Sequence, residues 1–302
     1  VQLIAAHADP LDLAMGYSNV AEGTIIAVAQ AAAVEFARAH GRIPGGELMI
    51  LALGRLGGRA LTHASDLDIV YLYDAPPDAV SDGAKSLSAT DYFNRLANRV
   101  TAALSVPTAA GPLYDVDTRL RPQGSEGMLA VSFDGFLDYQ RNQAWTWEHM
   151  ALCRARPVHG SPAARERLQE AVRSILSAPR DPASTRRDAA KMRQEIARHK
   201  PPAGPLDIKL GPGGLVDLEF AVHTLQLIHG EGLDPRLEFA MAGLAAKGLV
   251  EPSFDADLRL LSRILVVMRL VATEACRMAE NGAAFISRVK SETGLDLEVA
   301  PA

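Results

Sequence analysis

Cysteine, excess positive charge and unbroken apolar runs are all missing or scarce in this chain. Its 302 residues include two cysteines, Cys153 and Cys276, far apart and without C-x-x-C spacing. Neither a disulfide framework nor a structural zinc site follows, and a reducing cytoplasm suits the chain. Lys and Arg number 31 against 36 Asp and Glu, a formal net charge of −5. A protein whose work is gripping nucleic-acid phosphates is usually basic, so no nucleic-acid partner is expected. No run of 18 apolar residues occurs. The greasiest stretch, Leu258 to Ala272, is broken by Arg259, Arg263 and Arg269, so it reads as a packed helix and no membrane span is expected. No secretory leader is evident. The chain opens on Val1 and not on Met, which suggests a fragment of something longer. What is present, 48% hydrophobic and 22% charged residues, is an ordinary globular balance in a chain long enough for about two domains.

Apolar periodicity predicts a helix over 11–40 through Leu13, Val20, Ile25, Val28, Ala31, Val34 and Phe36, ended by Gly41 and Pro44-Gly45-Gly46. Leu48–Leu53 reads as a buried strand, 54–58 as a glycine turn, and Asp66–Tyr73 as a second strand beside the first. Thr90–Leu104 reads as a helix, Pro112–Arg121 and Met128–Ser132 as strands, and 133–140 and 144–154 as helices. Beyond Gly160 strand signals disappear, apart from a short Leu206–Leu210. Helices over 162–177, 184–199, 214–229, 236–247 and 252–280 account for the rest. The expected class is α+β: a helix over 1–40, a mixed domain over 41–160, and an all-helical bundle over 161–302.

The chemistry begins at Asp66-Leu67-Asp68. On a strand, residues i and i+2 share a face. Two carboxylates side by side on an otherwise apolar strand repel each other unless a cation neutralises them, and oxygen donors suit magnesium or manganese. The alternative is a pair of loop caps. In Leu113-Tyr-Asp-Val-Asp-Thr-Arg-Leu-Arg121, alternation places Asp115, Asp117, Arg119 and Arg121 on one face. That is either the floor of a charged site or a solvent-facing strand laced with ion pairs. A third carboxylate beside the pair would complete a two-metal arrangement, with the arginines holding phosphate oxygens. Gly54-Arg-Leu-Gly57-Gly58 follows the first strand without the Gly-Lys-Ser/Thr of a P-loop. Glycines there let the backbone approach a triphosphate. Together these parts follow the layout of nucleotidyltransferases related to DNA polymerase beta.

The likeness goes further. Leu53-Gly-Arg-Leu-Gly-Gly-Arg59, Ser65-Asp-Leu-Asp-Ile-Val-Tyr-Leu-Tyr73, Val116-Asp-Thr-Arg-Leu-Arg-Pro122, Ala144-Trp-Thr-Trp-Glu-His-Met-Ala-Leu152 and Asp207-Ile-Lys-Leu-Gly-Pro-Gly-Gly214 resemble the glutamine synthetase adenylyltransferase family. This family has two similar halves, one adding AMP to a tyrosine of glutamine synthetase and one removing it. The Trp145–His149 and Gly124–Gly127 stretches resemble the adding, C-terminal half. The resemblance implies transfer of AMP from ATP, with Asp66, Asp68 and Asp117 on two magnesium ions and Asp117 also assisting deprotonation of the hydroxyl. It further implies Gly57 and Gly58 against the triphosphate, Ser65 orienting the aspartate turn, and Arg119 and Arg121 offsetting charge, unless one pairs with Asp115. Glutamine synthetase is the implied protein substrate and the PII signalling protein a possible regulator, in the cytoplasm. Phosphorolytic removal of AMP, or a non-catalytic module binding PII or glutamine, are the competing readings.

Lys209 beside Gly211-Pro-Gly-Gly214 either reaches a phosphate or merely precedes a helix start. Trp145 and Trp147 line the nucleotide or pack. His63 stands where a small or polar residue is expected and reads as a surface histidine. Arg186, Arg187, Lys191, Arg193, Arg198 and Lys200 form a solvated basic face or a contact for an acidic partner.

Overall fold

The computed structural model describes residues 9–63, 65–108, 111–204 and 207–278. The architecture is α+β. Contacts divide it into two compact units. One comprises Ser18–Arg59 and Ser65–Leu176; the other gathers the residues before Ser18, those at 60–63 and those from Ser177 onward.

The first unit is built on a mixed sheet. It carries α1 (Pro10–His40) from Ser18 on, β1 (Glu47–Ala52), α2 (Gly54–Gly57), β2 (Leu67–Asp74), α3 (Ala89–Leu104), the two-residue pair β3 (Pro107–Thr108) and β4 (Gly111–Pro112), β5 (Val116–Asp117), β6 (Ala130–Ser132), α4 (Phe133–Asn142), α5 (Thr146–Leu152), β7 (Arg156–His159) and α6 (Pro162–Leu176). The main strand order is β5-β2-β1-β7, with β6 also on β2. β1 and β2 run antiparallel, Glu47 opposite Asp74 and Ala52 opposite Ile69. β5 and β6 both run parallel to β2. β2 is buried from Leu67 through Tyr73 except at Asp68, so one polar position interrupts an otherwise apolar strand. α3 starts at Ser88, whose hydroxyl accepts from the Asp91 N–H, as an N-cap should. It buries Tyr92, Phe93, Leu96, Ala97, Val100 and Leu104.

The second unit contains α7 (Pro182–His199), α8 (Leu215–His229), α9 (Leu237–Ala246) and α10 (Ser253–Met278). Its core joins Leu215, Val222, Leu237, Ala240, Met241, Leu244, Leu258 and Leu265. α7 opens on Asp181, which accepts from Ser184 N–H, followed by Pro182. α8 stops at Gly230 in the left-handed region (φ 65°), where glycine carries no Cβ penalty.

Several expectations are corrected. Pro112–Arg121 is not one strand: only Val116–Asp117 pairs with β2, and the chain then turns at Thr118–Arg121, where Arg121 N–H donates to Thr118 C=O at 3.3 Å. The alternation argument for Arg119 and Arg121 therefore fails. Residues 207–210 form turns and no strand, since Asp207 draws in the N–H groups of Lys209 and Leu210; Leu206 lies outside the described residues. The 54–58 turn is a short helix. β7 was not anticipated; it pairs antiparallel with β1 across a register shift. α6, expected to open the helical bundle, groups with the sheet. His63 is half-buried, not at the surface. Finally, α1 is long and apolar enough, by length and composition, to cross a bilayer. In the sheet unit it buries Ser18, Ala21, Ile25, Ala29 and Phe36 along one face, and its Glu22 pairs with Arg156 at 2.7 Å.

Candidate active site

The parallel pairing of β5 on β2 sets Asp68 directly beside Asp117. Asp66 precedes β2, and Leu67 between the two acids is fully buried, which fixes the opposite direction for its neighbours. One carboxylate oxygen from each of Asp66, Asp68 and Asp117 lies within 4.8 Å of the others. Asp66 is exposed and the other two are half-buried. Burial first, and then the charges of Asp66 and Asp117, push the Asp68 carboxyl up to about 6, with Arg154 and Arg119 pulling it back. Three hard oxygen donors crowded against their own repulsion form a set that a hard divalent cation fits.

The neighbourhood of Asp68 is fixed by backbone. Leu53 N–H donates to Asp68 C=O at 2.9 Å, and Leu67 N–H donates to Asp115 C=O at 2.8 Å. Gly54 starts α2 at φ 50°, and a Cβ there would lie 2.0 Å from Asp68 Oδ2, so only glycine admits the carboxylate. α2 in turn is clamped from the far side. A Cβ on Gly57 would lie 1.9 Å from Arg154 C=O, and one on Gly58 would lie 2.5 Å from the Arg154 guanidinium. Arg156 donates to the carbonyls of Leu56 and Gly57, both at 3.3 Å.

Gly57 and Gly58 are thus glycines because Arg154 packs on them, and it is Gly54 that meets the aspartate. Sequence reasoning passed over Gly54, Arg154 and Arg156 as site-shaping residues. The signal was present in the Gly-Arg-Leu-Gly-Gly run and in Arg154-Ala-Arg156, but the partners are a hundred residues apart. Ser65 is half-buried, next to Asp66. Arg119 closes on Asp117: its backbone N–H donates to Oδ1 at 2.8 Å, Nε to both oxygens at 3.0 Å, and Nη2 to Oδ2. The alternative pairing, with Asp115, is not the one Arg119 makes. The Arg119 side chain is otherwise open, 78% accessible, while Asp117 is 15%. Arg121 spends its donors on the carbonyls of Gly127, Thr118 and Ser125 and on the Thr118 hydroxyl. It ties the loop 118–127 shut.

Lys209 belongs to the helical unit. It sits in a turn organised by Asp207, whose oxygens accept from the N–H groups of Ala203, Lys209 and Leu210. Burial would raise Asp207, but these bonds and the Lys209 charge hold it below the usual range. Arg193 anchors the same segment on Asp217 and the Leu210 carbonyl, so this member of the basic helix is engaged internally. Glu148 is buried, accepting from the Tyr139 hydroxyl and the Trp145 N–H, each at 2.9 Å. His149 Nε2 bonds the Gln140 carbonyl at 2.9 Å. Trp145 is 71% exposed and Trp147 37%; neither is a core residue.

A family model for glutamate-ammonia ligase adenylyltransferase matches residues 2–171, and one for GlnD PII-uridylyltransferase matches residues 186–289. The matches part where contacts also divide the chain, at Leu176 and Ser177. Similar proteins carry the name bifunctional glutamine synthetase adenylyltransferase/adenylyl-removing enzyme. That of Mesorhizobium japonicum is 44% identical over 237 residues, covering 78% of this chain and 24% of the relative. That of Brucella suis is 44% identical over 221 residues, covering 73% and 22%. That of Bradyrhizobium diazoefficiens is 39% identical over 289 residues, covering 92% and 29%. The chain spans about a quarter of the length of the curated relatives it matches. With the first family model covering more than half of it, the chain belongs to the glutamate-ammonia ligase adenylyltransferase family.

Proposed function

We propose that this chain transfers AMP from ATP to a tyrosine hydroxyl of glutamine synthetase, releasing pyrophosphate. The convergence of Asp66, Asp68 and Asp117 carries the reading, because nucleotidyl transfer needs carboxylates where a polyphosphate is held. These three residues would hold two magnesium ions, which when bound neutralise phosphate charge and favour in-line displacement. Asp117, beside the attack position, accepts the hydroxyl proton as the tyrosine oxygen bonds to the α-phosphorus and the bond to the β-phosphate oxygen breaks. Arg119, largely open to solvent, exchanges Asp117 for a phosphate oxygen, while Arg121 keeps its loop in place. Gly54, against Asp68, leaves room for the phosphates, Gly57 and Gly58 seat Arg154 behind the α2 turn, and Ser65 orients the Asp66 turn. The fold proposed is a polymerase-beta-like nucleotidyltransferase domain followed by a helical bundle in a cytoplasmic enzyme. The GlnD-type match over 186–289 supports PII as a regulator.

The relatives' shared name includes an adenylyl-removing activity, and the same carboxylates serve both directions. The resemblance of Trp145–His149 and Gly124–Gly127 to the adding half supports addition. Incubation with α-labelled ATP, magnesium and unmodified glutamine synthetase should place label on the synthetase, and a synthetase with phenylalanine at the acceptor position should stay unlabelled. Absence of label, together with ADP release from adenylylated synthetase and phosphate, would assign this chain to removal. Neither product would leave a non-catalytic module.

A further inference from the structure

The turn that meets Asp68 is too short to hold itself in place. Its own main-chain bonds, Gly57 N–H to Leu53 C=O at 2.7 Å and Gly58 N–H to Gly54 C=O at 3.2 Å, close barely one turn, and a helix of that length is unstable on its own in water. The start of α2 is pinned to β2 by the bond from Leu53 N–H to Asp68 C=O. Its end is pinned by side chains from elsewhere in the first unit. Arg156 on β7 donates from Nη2 to the Leu56 carbonyl and from Nε to the Gly57 carbonyl, at the end of a helix that suits a cation. Nη1 of the same guanidinium donates to Glu22 of α1 at 2.7 Å. Both partners are sheltered, Arg156 14% and Glu22 18% accessible, so salt screens the pair less than a surface one. Arg59, just beyond α2, is a non-glycine residue at φ 53°, a conformation that persists only where the surroundings impose it. Its Nη1 donates to Asn19 Oδ1 at 2.7 Å, and its Nη2 stands 3.8 Å from Glu22. Asn19 and Glu22 are three residues apart and share one face of α1. That face holds both arginines at the end of α2.

We propose that Glu22 is a positioning residue for the transfer reaction: through Arg156 and Arg59 it sets where α2 sits against the Asp68 carboxylate, and so the gap that receives the polyphosphate. The tolerance there is small. A Cβ on Gly54 would lie 2.0 Å from Asp68 Oδ2, so backbone and carboxylate already meet with no side chain between them. A displacement of ~1 Å at a reacting site costs on the order of a hundredfold in rate. Glu22 acts through the guanidiniums and is not itself a ligand of the phosphates. Without its charge, two arginines lose a sheltered counter-charge, and breaking one side of such a cluster is costlier than never having built it. The guanidinium of Arg156 is then free to leave the carbonyls that fix the end of α2. This inference rests on the proposed nucleotidyl transfer at Asp66, Asp68 and Asp117.

The test compares the full chain with Glu22→Gln, which keeps the shape of the side chain and removes its charge. KM for magnesium-ATP should rise about tenfold, while KM for glutamine synthetase stays within about twofold, because the shift is confined to the phosphate side of the site. Calorimetric affinity for the unreactive α,β-methylene analogue of ATP, with magnesium, should weaken by a similar factor. Arg156→Lys keeps a cation for Glu22 but loses the planar fork, so it should fall between Glu22→Gln and the parent. A merely structural role gives a different result: fewer folded molecules lower kcat and leave KM and the affinity per folded molecule unchanged. That result would overturn the inference. Should Glu22→Gln fail to fold, Arg156→Lys decides alone by the same split. If the parent removes AMP, the split moves to KM for phosphate, and its absence overturns the inference equally. A parent that neither binds the analogue nor transfers AMP in either direction would sink the proposed reaction and this inference with it. Variants that match an active parent would sink the inference alone.

Discussion

Asp68→Asn offers a test in which the expected change in stability runs against the usual direction for a mutated half-buried residue. Burial and the charges of Asp66 and Asp117 lift the Asp68 carboxyl from 3.8 to about 6. At about 1.36 kcal/mol per unit this corresponds to about 3 kcal/mol held against the fold at neutral pH when no cation is bound. The sign follows from proton binding. Between pH 4 and 6 the folded chain holds a proton on Asp68 that the unfolded chain has released, so this contribution weakens folding as pH rises through that window. The amide removes the charge but buries new donors, at a cost of roughly 1 kcal/mol. The variant should therefore be more stable than the parent by about 2 kcal/mol at pH 7.5 in chelator, or about 4–8 °C in midpoint for a unit of this size. The gap should close as pH falls to about 4. Millimolar magnesium should raise the parent's midpoint and leave the variant's unchanged, and AMP transfer by the variant should vanish. Scanning calorimetry or thermal circular dichroism across pH, with and without magnesium, reads all of this. A variant less stable than the parent at pH 7.5 in chelator, or a gap that persists at pH 4, would refute the electrostatic reasoning. A magnesium response retained by Asp68→Asn would refute the metal assignment.

Four further outcomes are expected. Gly54→Ala should cost about 2 kcal/mol, because it strains a left-handed residue and drives a methyl into Asp68, and AMP transfer should fall with it. Gly16→Ala, where nothing lies within 4 Å, should instead leave urea midpoints equal or raise them by about 0.5–1 kcal/mol through helix propensity. Glu148→Ala should lower the unfolding free energy by roughly 2 kcal/mol, since it orphans the Tyr139 hydroxyl and the Trp145 N–H; a midpoint within error of the parent would count against the cap. Asp217→Ala should cost roughly 1–3 kcal/mol by stranding the half-buried Arg193 and the Gly213 N–H, with hydrogen exchange accelerating over 207–217.

Local pattern determined much of this protein on its own. The helices α1, α3, α7, α8, α9 and α10 follow from apolar spacing and end signals, because a helix's periodicity and caps are written within a few residues. The Asp-Leu-Asp spacing was legible for the same reason, although β2 begins at Leu67 and Asp66 stands just before it. What needed the tertiary structure is what depends on partners far away in the chain. Asp117 joins the pair through the parallel register of a two-residue strand, too short to leave a periodic trace. Arg119 and Arg121 look alike in an alternating string. Once the chain turns at Thr118, the first closes on Asp117 and the second ties down a loop. Gly54 is distinguished from Gly57 and Gly58 only by what approaches each, an aspartate in one case and Arg154 in the others. β7 carries no alternation of its own and exists because β1 offers it an edge. Whether Trp145 packs or faces water was likewise not readable from Trp-Thr-Trp-Glu-His. It depends on which neighbours the fold brings to α5, because burial is a property of the assembled surface and not of the residue.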